Sequence, residues 1–64
     1  MPIIHVYLIE GRTVDQKRNL VAGVTDAVVK SLGVKQEDVR IILQDMARHD
    51  YGVAGTLVMD EKKA

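Results

Sequence analysis

Ile3-Ile4-His5-Val6-Tyr7-Leu8-Ile9-Glu10-Gly11-Arg12-Thr13-Val14-Asp15-Gln16 contains the end of one structural element and the start of another with a different period. Its first seven residues are β-branched, aromatic or leucine apart from His5. Ile4, Val6 and Leu8 fall on one face of a strand and Ile3, His5, Tyr7 and Ile9 on the other. Both faces are largely apolar, which is the pattern of a strand covered on two sides. Glu10-Gly11-Arg12 is a turn. Thr13 with Gln16 three positions on is a capping box, whose hydroxyl and amide satisfy free backbone donors at a helix start. A helix is therefore predicted from near Val14.

Downstream of that start, Leu20, Val21, Val24, Ala27, Val28 and Leu32 recur at three- and four-residue intervals. Asp15, Lys17, Arg18, Asp26 and Lys30 fall mostly elsewhere. Gly33 suits the left-handed position that ends a helix. Gly23, inside it, costs roughly 1 kcal/mol relative to alanine, so close packing of a neighbouring backbone is expected there. Val34 to Asp38 links to a second strand, Val39 to Leu43, in which Val39, Ile41 and Leu43 alternate with Arg40, Ile42 and Gln44. A β-α-β crossover of this length makes the strands parallel and the connection right-handed. Tyr51-Gly52-Val53-Ala54-Gly55-Thr56-Leu57-Val58 has the glycines and β-formers of a short hairpin, and Asp60 to Ala64 is a polar tail. The expected fold is α/β: a single domain over residues 1–64, with one β-α-β unit of parallel strands and a short C-terminal β-hairpin.

A chain of 64 residues hides only about 60% of the surface it exposes when unfolded. It has no cysteine for disulfides or thiolate metal sites, and His5 and His49 lie too far apart to make a ligand pair. Oligomerisation is the remaining source of core, and no metal or cofactor is expected. The 9 basic and 9 acidic residues balance, and no basic cluster faces out, so nucleic acid is not an expected partner. No positive segment precedes the first apolar run, which is far short of a membrane span. A cytoplasmic protein without a membrane partner is expected.

Pro2 follows the initiator methionine, which aminopeptidases generally remove before so small a residue. Removal would leave a secondary amine. A terminal amine titrates near pH ~8 or below, and burial or cationic neighbours lower it further, so it can serve as a general base. The structural alternative is that Pro2 simply opens a strand. Arg12 sits at the carboxyl end of the first strand, the edge where open α/β sheets bind ligands. Arg40 interrupts an apolar strand, and a buried guanidinium needs an anionic partner. That partner is either Glu10, Glu37 or Asp38 in an ion pair, or the carboxylate of a substrate clamped together with Arg12. Tyr51 offers either an apolar wall or a phenol donor. His5 reads as a satisfied core or interface histidine and His49 as a solvated loop residue. Met46 and Met59 read as gap-fillers, and Lys62-Lys63 as a solvated end.

Met1-Pro2-Ile3-Ile4, Leu8-Ile9-Glu10-Gly11-Arg12, Val39-Arg40-Ile41-Ile42, Met46-Ala47 and Tyr51-Gly52-Val53-Ala54-Gly55 together resemble 4-oxalocrotonate tautomerase and its close homologues. The similarity covers essentially the whole chain. It implies a mature chain starting at Pro2 and a homohexamer, a trimer of dimers with a four-stranded sheet in each dimer. It implies an isomerase of aromatic hydrocarbon catabolism that acts on a small dicarboxylate or 2-keto acid such as 2-hydroxymuconate. Pro2 would carry the proton, Arg40 would bind the carboxylate and polarise the 2-oxo or 2-hydroxy group, and Arg12 would bind the distal carboxylate. Leu8 and Tyr51 would line the substrate. In such enzymes these groups come from different subunits. Tyr51 stands where the best-known members have phenylalanine, and Ala54 where glycine is usual, so the hairpin is expected to bend differently. Ile9 and Val53 replace the extra arginine and the acid of relatives that hydrate or dehalogenate haloacrylates, which disfavours that chemistry. The alternatives are a tautomerase-fold enzyme with another substrate, or a non-catalytic oligomeric binding protein if Met1 is retained.

Overall fold

The computed structural model describes residues 1–61. Strand β1 (Ile3–Ile9) leads through Glu10–Thr13 into helix α1 (Val14–Leu32), and β2 (Arg40–Met46) returns parallel to β1. The register runs from Ile3 opposite Arg40 to Ile9 opposite Met46. Backbone bonds extend the ladder at both ends, from the N–H of Arg40 to the Pro2 carbonyl (3.0 Å) and from the N–H of Glu10 to the Met46 carbonyl (2.9 Å). Strands β3 (Gly52–Val53) and β4 (Thr56–Leu57) form the C-terminal hairpin.

Both ends of α1 are set by the residues the sequence nominates. Thr13 Oγ1 accepts from the Gln16 N–H at 3.1 Å, and Gln16 Oε1 accepts from the Thr13 N–H at 2.9 Å. Gly33, at φ 69 and ψ 27, donates its N–H to the Val29 carbonyl. Leu20, Val21, Val24, Thr25, Val28 and Val29 of the helix are half-buried, as are Ile4, Val6, Leu8, Ile41 and Leu43 of the sheet, and Thr25 and Val29 border the linker turn at Gln36 and Glu37. Ala27 and Leu32 are exposed instead, since the stripe turns onto Thr25 and Val29. The second strand starts at Arg40 and runs to Met46, later and longer than Val39 to Leu43, because a 3₁₀ turn at Gln36–Asp38 consumes the linker. Met46 is half-buried, but Met59 is exposed and fills no gap within the chain. The Lys62-Lys63 end lies outside the described residues.

Two features show how little the single chain encloses. None of its described residues is fully buried, and Ile3 and Tyr7 on the face of β1 turned away from α1 are 61% and 58% exposed. The chain exposes 5146 Å², against about 4,100 Å² for a compact protein of its mass. Its radius of gyration is 15.0 Å, where a compact chain of this length has about 11 Å. The expected close approach of a backbone to Gly23 is also absent within the chain, since a Cβ there would meet nothing within 4 Å.

The hairpin turn carries a local cost. Ala54 and Gly55 have φ of 53 and 83, the pair of positive angles of a primed two-residue turn, which matches the twist of the flanking strands. For a residue with a Cβ the left-handed region costs about 1 kcal/mol or more. Ala54→Gly is therefore expected to stabilise the protein, by about 0.5 kcal/mol once the looser unfolded chain is counted. Thr13→Ala should destabilise it by about 1 kcal/mol through loss of the cap. Urea denaturation of both variants at one fixed protein concentration measures both signs.

Candidate active site

Parallel pairing decides where the candidate residues can meet. Pro2 and Arg40 stand together at the edge where both strands begin, joined by the 3.0 Å bond from the Arg40 N–H to the Pro2 carbonyl. Leu8 and Arg12 stand at the other edge. Seven residues of β1 at about 3.3 Å each put the two edges roughly 20 Å apart. One chain therefore brings Pro2 to Arg40 but keeps Arg12 from both.

At the first edge Pro2 is half-buried and Met1 is 79% exposed. With Met1 attached the Pro2 nitrogen is an amide, so base chemistry there requires Met1 to be removed, and its exposure leaves that bond open to an aminopeptidase. Arg40 corrects an expectation. Its side chain is exposed on the outer face of the sheet, and Nη1 donates to the Glu37 backbone carbonyl at 2.5 Å. Among the described residues no carboxylate of Glu10, Glu37 or Asp38 pairs with it. The linker's 3₁₀ turn supplies a neutral acceptor instead, so the guanidinium is oriented without being neutralised.

At the second edge the turn places Gly11 at φ 118, a conformation that a side chain rarely adopts. Arg12 follows and, with Leu8, Gln16, Lys17 and Leu20, lines a cavity of about 290 Å³. Tyr51 precedes β3 and is 43% exposed. Its carbonyl closes the hairpin by accepting from the Val58 N–H at 2.8 Å, and its ring meets neither edge's arginine through any bond among the described residues. His5 is satisfied, as its mid-strand place suggests, with Nε2 2.9 Å from Gln44 Oε1 and its ring stacked on Tyr7 at 4.5 Å between centroids. His49 is exposed, in a 3₁₀ turn at Arg48–Asp50 rather than an irregular loop.

Lys17 is the residue that sequence reasoning passed over. Placed with the polar face of the helix, it is instead half-buried, its Nζ 2.8 Å from Asp45 Oδ2 on β2. The signal was present, because positions 17, 20, 21, 24 and 28 share one helical stripe.

The family model described as "Tautomerase enzyme" matches residues 2–61. The chain belongs to the tautomerase family. A protein of Lactiplantibacillus plantarum named "Probable tautomerase" is 47% identical over 62 residues, covering 97% of each chain. Among solved structures, one from work on the 4-oxalocrotonate tautomerase isozymes of Methylibium petroleiphilum is 46% identical, with a TM-score of 0.89 over 91% of each chain. YwhB, a homologue of 4-oxalocrotonate tautomerase, is 39% identical with a TM-score of 0.92, covering 95% of this chain and 100% of its own. The β-α-β unit with its hairpin is thus the tautomerase fold. Among the described residues no helix is long and apolar enough to cross a membrane.

The separation of the edges yields a test specific to this tautomerase. Arg12→Ala and Arg40→Ala chains, unfolded, mixed in equal amounts and refolded together, should regain about one quarter of wild-type activity if each site draws its two arginines from different copies. Recovery no greater than the mean of the two separate variants would place the whole site in one chain.

Proposed function

We propose that this tautomerase, once Met1 is removed, converts 2-hydroxymuconate or a similar dienol acid to the conjugated 2-oxo acid. The observation that carries the reading is the backbone pairing that sets Pro2 and Arg40 at one sheet edge, in a chain whose family match spans Pro2, Arg12 and Arg40. The free Pro2 amine takes the proton of the substrate's 2-hydroxyl as the carbonyl forms. The electron pair moves along the diene, and a carbon further on takes a proton from the Pro2 ammonium. Reactant and product are isomers, so the proton balance closes on Pro2 alone.

Arg40 holds the carboxylate and the 2-oxygen, where negative charge develops, and a guanidinium suits that task by its two parallel donors. Arg12 holds the distal carboxylate and draws electron density toward it. Leu8 and the Tyr51 ring form the apolar wall that keeps the field of both arginines from being screened. Arg12 must reach this site from another copy, so a homohexamer built as a trimer of dimers is part of the proposal. Such an assembly would also cover the apolar outer face of β1. Preorganised charge and general base catalysis each supply typically ~10²-fold or more.

The deciding experiment follows the ketonisation of 2-hydroxymuconate by ultraviolet absorbance on protein whose intact mass shows Met1 gone. A kcat/KM of about 10⁴ M⁻¹s⁻¹ or more is expected, and a rate at buffer background overturns the substrate assignment. Arg40→Ala should lower kcat by about 10²-fold or more. Pro2→Ala should keep part of the activity through its primary amine, and protein that retains Met1 should have none.

A further inference from the structure

Lys17 is placed where a substrate residue would be, and the reading above gives it no role. The cavity of about 290 Å³ at the second sheet edge has two cationic side chains in its wall, Arg12 and Lys17, with Gln16 beside them and Leu8 and Leu20 as apolar floor. Its volume lies at the small end for ligand sites, ~300 Å³ and upward, so it admits one end of a small molecule rather than a large one. Among the described residues no acidic side chain lines it.

Lys17 is held at that wall by Asp45, 2.8 Å away, and Asp45 pairs in register with Leu8, the floor of the same cavity. The Lys17 side chain is 29% exposed, so it is partly covered while still reaching solvent. An ammonium has three donors, and the structure commits one of them, to Asp45. The other ion pairs made by α1 are of a different kind. Arg18–Asp15 and Lys30–Asp26 are exposed pairs within the helix itself, whereas Lys17–Asp45 ties the helix to the strand that borders the cavity.

We infer that Lys17 is a specificity-determining residue of this tautomerase: with Arg12 it forms a two-cation seat for an anionic group at the far end of the substrate, selecting dicarboxylates over monocarboxylates of equal length. The inference rests on the proposed function for the identity of the site, but its chemistry is that of binding. The charges at the wall sum to one net positive, from Arg12 and Lys17 less Asp45. That matches a single carboxylate and leaves a neutral alkyl end without compensation for the donors it would cover. Asp45 anchors the ammonium when the seat is empty, and the cation does the selecting.

The test uses two unreactive six-carbon dienoic acids that differ only at one end, trans,trans-muconate and sorbate, titrated calorimetrically into the mature protein. Wild type should bind muconate more tightly than sorbate. Lys17→Met, which keeps the aliphatic stem, should lose on the order of fivefold in muconate affinity, as a partly exposed charge contact suggests, with sorbate unchanged. Lys17→Arg should restore most of the preference. Asp45→Asn breaks the same ion pair yet keeps the cation, so it should retain the preference. If Lys17→Met binds both acids as wild type does, or if Asp45→Asn loses muconate as Lys17→Met does, the lysine is structural and the inference falls. Absence of any preference in wild type also overturns it. Failed ketonisation together with a Lys17-dependent preference would remove the proposed reaction and leave the seat standing.

Discussion

Parallel pairing of β1 with β2 is the constraint on which the rest of this protein depends. It follows from the helix between them, because a crossover through nineteen helical residues returns the chain to the edge where it began. The same geometry that sets Arg40 against Pro2 sends Gly11 and Arg12 to the far edge. An antiparallel hairpin would have joined Arg12 to the start of the second strand. The fold therefore sets the candidate residues at two separate edges of the sheet, so that a site needing both would need more than one copy.

The distribution of apolar surface leads to the same conclusion by a different route. Helix α1 covers the face of the sheet bearing Ile4, Val6, Leu8, Ile41 and Leu43, and even these residues are only half-buried. The other face carries Ile3, Tyr7 and Ile42, all exposed. A chain this short has one helix and cannot cover two faces with it. His5 and Gln44 show how that second face tolerates polar groups, for each satisfies the other across the strands at 2.9 Å. The His5–Gln44 pair therefore adds little to the cost of dehydrating that face, whereas Arg40 at its edge keeps a charge that covering the face would have to match.

Much of this was legible in the sequence, because the signals were local. The capping box of Thr13 and Gln16, the left-handed Gly33 and the alternation in Ile3 to Ile9 each involve neighbours within a few positions, and each determines an element boundary or a face. What was not legible depended on contacts between distant segments. Arg40 looked like a buried charge seeking a carboxylate because its flanks are apolar, but its own face of the sheet is uncovered and a backbone carbonyl of the preceding turn takes its N–H. Lys17 looked like a solvated residue because lysines on helices usually are, and only the arrival of β2 brings Asp45 to it. Gly23 remains without a contact that the chain itself explains.

The two edges differ in how their cations are held, and the difference has a chemical consequence. Arg40 is oriented by a neutral carbonyl, so its charge is not cancelled by the group that holds it. A carboxylate partner in the same place would have oriented the guanidinium equally well and cancelled most of that field. Lys17 is oriented by a carboxylate, which cancels most of its field at a distance.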